Sequence, residues 1–129
     1  MSDPETTAAR VLVCGGREYR DRSILFRVLD EAHEVDPIGV IVQGGADGAD
    51  RLAVIWAVER GITVETYRAD WSQGRSAGPA RNQRMIDDGV PSYAFAFPGG
   101  RGTADMVRRL KAASIPVFEV PRNYGVAAA

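Results

Sequence analysis

Apolar residues in this chain occur both as short continuous runs and as longer stretches with helical spacing. Residues 11–14 and 39–42 are almost wholly apolar, as expected for strands buried on both faces. Between them, apolar residues recur every three or four positions over 22–35, while charged residues fill the other face. Asp21 precedes this stretch as a capping residue and Pro37 follows it. The pattern predicts a strand, a helix and a second strand.

The remainder of the chain continues this alternation. A helix is predicted over 50–59 and ends before Gly61, and the alternating residues 62–67 predict a strand near a sheet edge. Residues 68–78 form a long loop, of a kind that is usually functional or mobile. A helix from Pro79 to Asp88, a strand over 93–97, a helix capped by Thr103 and a strand over 115–120 complete the pattern.

Strands that alternate with helices of this length predict right-handed crossovers and therefore a parallel sheet. We predict an α/β fold: a single Rossmann-like domain with a five-stranded parallel sheet in the order 3-2-1-4-5 and helices on both faces. The domain is predicted to span residues 10–121. Residues 1–9 are predicted to be a disordered N-terminus and 122–129 a C-terminal tail.

Four turns follow the predicted strands and therefore lie together at one edge of the sheet. In open parallel sheets this edge binds ligands, because glycines there let backbone amides approach a phosphate closely. The residues predicted to bind a ligand in these turns are Gly15, Gly16, Arg17, Gly44, Gly45, Ala46, Asp47, Asp50, Asp70, Trp71, Pro98, Gly99, Gly100, Arg101, Gly102 and Thr103.

The turn at residues 98–103 carries the strongest indication of phosphate binding, since it combines three glycines with an arginine at a helix start. Other residues have two interpretations. Asp50 either caps its helix, which we favour, or holds a ribose hydroxyl. Trp71 either stacks on a base or covers the rim of the core. Arg81 and Asn82 lie either on a solvated surface or at the edge of the crevice. Neither a Walker A motif nor a G-x-G-x-x-G motif is present.

Composition narrows the functional classes. The 16 basic and 17 acidic residues are nearly balanced, which argues against a nucleic-acid partner attracted by net charge. All basic residues except Lys111 are arginines, which reflects either phosphate binding or a coding bias. Cys14 is expected to be buried and His33 to lie on the surface. We expect no metal and no cofactor, and a cytoplasmic protein without a membrane span or signal peptide.

Taken together, the turn motifs resemble the SLOG superfamily of Rossmann-like nucleotide-binding domains, and most nearly its YspA-type proteins, which are related to the LOG phosphoribohydrolases. The resemblance covers about residues 11–120. It rests on Gly15-Gly16-Arg17, Gly44-Gly45-Ala46-Asp47-Gly48-Ala49-Asp50, Ala69-Asp70-Trp71, Gly78 with Arg81-Asn82 and Met85, and Pro98-Gly99-Gly100-Arg101-Gly102-Thr103. It implies an AMP-like or ADP-ribose-like ligand and a homodimer.

The LOG resemblance also implies a phosphoribohydrolase, in which a P-G-G-x-G-T-x-x-E motif binds phosphate and an arginine supports cleavage of the N-glycosidic bond. Arg81, four residues before Met85, matches that arginine, but Met106 stands where the motif has glutamate. A thioether cannot stabilise the charge that develops on the ribose. Asp50 or Asp70 could substitute as the catalytic acid. We therefore favour nucleotide binding over nucleoside monophosphate hydrolysis. Single-stranded DNA binding, known for another member of the superfamily, ranks third.

Overall fold

The computed structural model describes residues 8–124. They form a chain of alternating strands and helices: β1 (Ala9–Cys14), α1 (Arg22–Val35), β2 (Ile38–Gln43), α2 (Ala49–Glu59), β3 (Thr63–Thr66), a short 3₁₀ helix (Trp71–Gln73), α3 (Ala77–Asp87), β4 (Tyr93–Ala96), α4 (Arg101–Ala112) and β5 (Val117–Glu119).

The five strands form one parallel sheet in the order β3-β2-β1-β4-β5. β1 lies at the centre, with Val11 beside Ile41 of β2 and Tyr93 of β4. The edge positions of β3 and β5 agree with the alternation of β3 and with Pro116 immediately before β5. The predicted fold class and strand order are confirmed.

Two apolar layers cover the sheet. Val11 and Val13 of β1 point into a core shared with α1 and α2, whereas Leu12 and Cys14 point into a second core shared with α3 and α4. This alternation is the reason why a central parallel strand is apolar at every position. Helices therefore lie on both faces, as predicted, and the ends of all five strands open on one edge.

Several boundaries differ from the predicted ones. α1 has its predicted bounds, and the Asp21 carboxylate caps it by accepting from the amide of Ile24 at 3.1 Å. α4 begins at Arg101 with Gly100 as its N-cap, so the prediction that Thr103 caps this helix is wrong. Glycine can occupy the cap position without a side-chain acceptor, and the helix starts three residues earlier.

The predicted loop over 68–78 is also more ordered than expected, because it contains the 3₁₀ helix and the first two residues of α3. β1 already begins at Ala9, inside the predicted N-terminal tail. The hydroxyl of Tyr124, in the predicted C-terminal tail, donates to Glu31 of α1 at 3.3 Å. The rest of both predicted tails, residues 1–7 and 125–129, lies outside the described residues. Among residues 8–124, the helices are too short or too polar to span a bilayer.

Candidate functional site

A cleft of about 730 Å³ opens at the edge of the sheet where the strands end. It lies between the turns that follow β1, β2 and β4 and the first turns of α3 and α4. Its lining residues are Cys14, Gly15, Gly16, Arg17, Gly44, Ala46, Asp50, Trp71, Arg75, Gly78, Pro79, Arg81, Asn82, Met85, Gly100, Arg101, Gly102, Thr103, Ala104, Asp105, Met106 and Arg108. Its size is in the usual range for small-molecule sites, roughly 300–1,000 Å³.

Glycines bring the turns into direct backbone contact. The amide of Gly16 donates to the carbonyl of Pro98 at 2.9 Å, and a Cβ on Gly16 would lie 2.9 Å from that oxygen. Gly48 has a φ of +76°, and a Cβ there would overlap the carbonyl oxygen of Gly16. Gly15 packs against Ala49 in the same way, with a Cβ only 2.6 Å from the Ala49 methyl. These glycines therefore hold the turns together, and their first role is packing.

The turn after β2 is stabilised by side chains of the chain itself. Asp50 Oδ2 accepts from the amides of Gly44 and Ala46, each at 3.2 Å, and Gln43 Oε1 accepts from the amide of Gly45 at 2.6 Å. Asp50 lies in the first turn of α2, whose N-cap is Gly48, so the favoured prediction that Asp50 caps this helix is wrong. Burial raises the pKa of Asp50 to about 6, against the opposing effect of these amides and of Arg81.

Arg81 forms the back of the cleft. Its Nη1 donates to the carbonyl of Gly44 at 2.8 Å and its Nε donates to Asn82 Oδ1 at 3.1 Å. A Cβ on Gly44 would overlap Arg81 Nη1 and would lie 3.1 Å from Asp50 Oδ2. Arg81 and Asp50 therefore both approach the same side of Gly44. The structure brings together two of the three predicted catalytic residues.

Asn82 connects α3 to the start of α4. Its side chain is buried, and its Nδ2 donates to the carbonyl of Gly102 at 3.2 Å and to Asp105 Oδ2 at 3.0 Å. Asp105 also accepts from Arg108 and Arg109, both at 2.8 Å. Burial acts to raise the pKa of Asp105, but these hydrogen bonds and charges outweigh it and hold the pKa below its ordinary value. Asp105 is thus an ionised structural carboxylate.

The start of α4 presents backbone donors to the cleft. The first intrahelical hydrogen bond runs from the amide of Ala104 to the carbonyl of Gly100, and within residues 8–124 no hydrogen bond uses the four amides of residues 100–103. Nothing lies within 4 Å of a Cβ placed on Gly100 or Gly102, so this surface is open. Free amides at a helix N-terminus, together with the helix dipole, attract anions.

Trp71 and two arginines form the rim of the cleft. The Trp71 side chain is 54% exposed and its ring rests on α3, with Cη2 3.2 Å from a Cβ placed on Gly78. The guanidinium carbon of Arg17 lies 5.3 Å from the centre of the Trp71 ring, within range of a cation–π contact. Arg75 lies on the same rim. The exposure of Trp71 favours the interpretation that it faces a ligand over the interpretation that it covers the core.

Five residues that were predicted to bind a ligand are not in the cleft lining: Gly45, Asp47, Asp70, Pro98 and Gly99. The Asp70 carboxylate caps the 3₁₀ helix by accepting from the amide and the hydroxyl of Ser72, at 3.2 and 2.5 Å. Its placement as a catalytic acid in the cleft is therefore wrong. Asp47 pairs with Arg51 on the surface at 3.1 Å.

Some lining residues were not predicted from the sequence, among them Cys14, Arg75, Pro79, Ala104 and Arg108. Arg108 follows Arg101 by seven residues, so helical spacing alone could have placed both on one face of α4. Cys14 is buried as expected, and burial raises the pKa of its thiol, so it stays protonated at neutral pH.

Met106 occupies the floor of the cleft. Its side chain is 1% exposed and packs in the core with Leu12, Met85 and Leu110. The position of the glutamate in the LOG motif is therefore filled by an apolar core residue. Over residues 8–124, acidic, cysteine and histidine side chains do not gather in threes that could hold a metal ion.

A solved structure with the same fold is DNA processing protein A (DprA) from Streptococcus pneumoniae, with a TM-score of 0.70 over 96% of this chain. The sequence identity of 17% shows the fold alone, and the match covers 54% of the DprA chain, about half its length.

Sequence comparisons identify the family as well as the fold. The Gene 61 protein of Mycobacterium phage D29 is 42% identical over 126 residues, which cover 90% of this chain and 96% of the phage protein. Residues 9–74, which contain β1, β2, β3 and the turns after them, match the YspA, cpYpsA-related SLOG family. Motifs, fold and sequence match agree, and the chain belongs to the YspA, cpYpsA-related SLOG family.

Proposed function

We propose that the cleft binds a nucleotide or a nucleotide-derived ligand, with a phosphate against the first turn of α4. The observation that carries this proposal is the set of four unused amides at residues 100–103, which open into a cleft lined by five arginines. Phosphate is the anion whose oxygens match both backbone amides and the planar guanidinium group.

The other lining residues suggest how the rest of the ligand would lie. Trp71 offers an exposed aromatic face on the rim, where a base can stack. Asp50 is close to Gly44 and Arg81, in a position to accept from a ribose hydroxyl with the oxygen that the turn amides do not use. In this arrangement the protein holds its ligand between the rim and the start of α4.

Binding without turnover is the role we favour. Cleavage of an N-glycosidic bond needs a carboxylate beside the ribose, and the LOG position for it holds the buried Met106. Asp105 is committed to Asn82, Arg108 and Arg109, and Asp70 caps its own turn. The chain would therefore sense, sequester or present a nucleotide.

Hydrolysis of a nucleoside monophosphate is the second candidate, because Asp50 lines the cleft with a pKa near neutrality. Incubation with AMP followed by chromatography separates the two functions. Adenine release that disappears in Asp50→Asn and Arg81→Ala would establish the enzyme. Tight AMP binding without a product supports the binding function.

The binding proposal is tested by thermal unfolding with AMP, GMP, ADP-ribose and cyclic nucleotides. A ligand at 100 times its dissociation constant adds about 2.7 kcal/mol to the stability, which is a clear rise in Tm. Arg101→Ala should reduce the rise, whereas Arg27→Ala should not, because Arg27 lies on α1, outside the cleft lining, and pairs with Glu31 of the same helix. No rise with any of these nucleotides would contradict the proposal.

A further inference from the structure

The cleft is far more positive than the protein as a whole. Five arginines line it, Arg17, Arg75, Arg81, Arg101 and Arg108, against two carboxylates, Asp50 and Asp105, which is a formal net charge of +3. The whole chain has a formal net charge of −1, so the residues outside the lining sum to −4. A coding bias that favours arginine would distribute arginines over the entire surface. It would not concentrate positive charge in the cleft.

Within residues 8–124, three of these arginines have guanidinium groups that form neither an ion pair nor a hydrogen bond. Across residues 8–124, Arg17, Arg75 and Arg101 form no ion pair, whereas Arg108 pairs with Asp105 at 2.8 Å. Arg81 is also occupied, because its guanidinium donates to Gly44 and Asn82. Both cleft carboxylates already accept hydrogen bonds from the chain. Within residues 8–124, the guanidinium groups of Arg17, Arg75 and Arg101 therefore remain available to an anionic ligand.

The unpaired arginines approach the cleft from separate segments. Arg17 follows β1, Arg75 lies in the loop before α3, and Arg101 is the first residue of α4. One phosphate ester carries about −1.5 to −2 charges and three free oxygens, and a single two-point arginine contact uses two of them. A second, linked phosphate supplies the additional charge and the acceptor oxygens for the remaining guanidinium groups.

We infer that the ligand of this cleft carries a diphosphate group, as in a nucleoside diphosphate or in a dinucleotide with a bridging diphosphate. The inference rests on the proposed nucleotide function and narrows its ligand class. Arg17 and Arg75, on the rim beside Trp71, bind the second phosphate, and Arg101 binds the first. A nucleoside monophosphate fills only part of the site.

The inference is tested by calorimetric titration at low ionic strength with AMP, ADP and ADP-ribose. At least one of the two diphosphates should bind about tenfold more tightly than AMP, a difference expected for one charge-assisted contact. If only ADP binds more tightly than AMP, the site takes a terminal diphosphate. If ADP-ribose binds more tightly than AMP, the site takes a bridging diphosphate.

Arg75→Ala provides the matched variant. Arg75 is exposed and, over residues 8–124, makes no side-chain hydrogen bond or ion pair, so the variant should fold normally, as circular dichroism would verify. The variant should lower the ratio of the AMP dissociation constant to the diphosphate dissociation constant, because the second phosphate then keeps only Arg17, and an unchanged ratio would contradict this placement of the second phosphate. Arg27→Ala should leave the ratio unchanged.

The outcomes separate the inference from the function on which it rests. If AMP binds as tightly as both diphosphates, the diphosphate inference is overturned while nucleotide binding stands. If a single-stranded oligonucleotide binds with a steep salt dependence and the nucleotides do not bind, both are overturned. The same holds if no nucleotide binds at all.

Discussion

At the scale of single residues, Gly48 has both a positive φ and a close contact. Its φ is +76°, and its Cα faces the carbonyl oxygen of Gly16, which leaves no room for a Cβ. Gly61, just after α2, has a similar φ of +70° but nothing within 4 Å. A substitution at Gly61 therefore meets backbone strain alone, whereas a substitution at Gly48, where ψ is −126°, meets backbone strain and steric overlap together.

We expect Gly61→Ala to lower the free energy of unfolding by about 1–2 kcal/mol, the cost of a left-handed conformation for a residue with a Cβ. Gly48→Ala should lower it by about 1–3 kcal/mol more, because the methyl group also displaces the turn after β1. Urea unfolding of both variants measures the difference. Equal losses would mean that the two turns do not pack as described.

Asp50 gives the protein a pH dependence of known sign. Its folded-state pKa is raised from 3.8 to about 6 by burial, so folding favours the protonated carboxyl. The resulting stabilisation is fully present below about pH 4 and is lost as the pH rises through 6. Groups whose pKa is lowered by ion pairs, such as Asp30, Glu65 and Asp105, act in the opposite direction at lower pH.

We therefore expect the wild-type protein to lose stability relative to Asp50→Asn between pH 4 and pH 7. The relative loss is on the order of 3 kcal/mol, since each pKa unit corresponds to about 1.4 kcal/mol. Asparagine can still accept from both turn amides but does not ionise, so the comparison isolates this carboxyl. The free energy of unfolding of both proteins is measured by urea unfolding at several pH values. If it changed equally with pH in the two proteins, Asp50 would not titrate in this range.

Residue roles were predicted unevenly from the sequence. The sequence leaves two positions open for Arg81, and the structure has the one at the crevice, which the glycine and proline before it indicate as the start of a helix. Asp70 was misplaced, since an aspartate two residues before a serine can turn inward to cap its own loop, and motif resemblance does not report side-chain direction.

At the scale of elements, the packing of α3 against α4 orients the candidate phosphate site. The buried Asn82 holds the first turn of α4 through Gly102 and Asp105. Its neighbour Gln83 is only half-buried and bonds to Asp87 and Arg109 on the outer side of the same two helices.

We expect Asn82→Ala to lower the free energy of unfolding by about 1–3 kcal/mol, because it leaves the buried partners of Asn82 unsatisfied. It should also weaken nucleotide binding, since α4 loses its link to α3. Gln83→Ala should affect the free energy of unfolding less and leave binding unchanged. Unfolding curves and nucleotide titrations of both variants provide the check, and equal effects would argue against a positioning role for Asn82.

The predicted helix bounds agree best with the structure where a side chain caps the first turn of the helix. α1 begins after Asp21, which caps it, and ends before Pro37, so local sequence was sufficient. α3 begins two residues and α4 three residues before the predicted position, because Ser76 and Gly100 precede them without a side-chain cap. Contacts of the first turns with neighbouring elements decide such boundaries.

At the scale of the whole molecule, charge is separated even though it is balanced overall. The cleft lining has a formal net charge of +3 and the residues outside it sum to −4, which gives −1 for the chain. We expect nucleotide affinity to decrease as salt is raised from about 0.1 to 0.5 M, because most of the lining arginines are exposed and their charges are screened over a Debye length of about 10 Å or less. Isothermal titration at several salt concentrations measures this, and a salt-independent affinity would argue against the charged rim.

The homodimer implied by the family resemblance stays a prediction. A polar groove of about 600 Å³ between α3 and α4 lies beside the cleft and is lined by Gln83, Asp105, Arg108, Arg109, Ala112 and Ala113. Multi-angle light scattering at several protein concentrations would establish the oligomeric state directly.

The sequence by itself determined the α/β class, the order of the strands and the edge of the sheet at which the turns gather. These features depend on short-range patterns: apolar runs, helical spacing, and glycine and proline at the ends of elements. Resemblance in the turn motifs was enough to identify the superfamily.

Only the tertiary structure decided which turn groups are available to a ligand. The amides after β2 are used by Asp50 and Gln43, and the Gly16 amide is used by Pro98, whereas those at the start of α4 have no partner in the part of the chain that the structure describes. The bond from Gly16 to Pro98 joins residues that are far apart in the chain, and the bonds after β2, although local, depend on a turn conformation that the sequence pattern does not define. For the same reason, the convergence of five arginines on one cleft became evident only in the folded molecule.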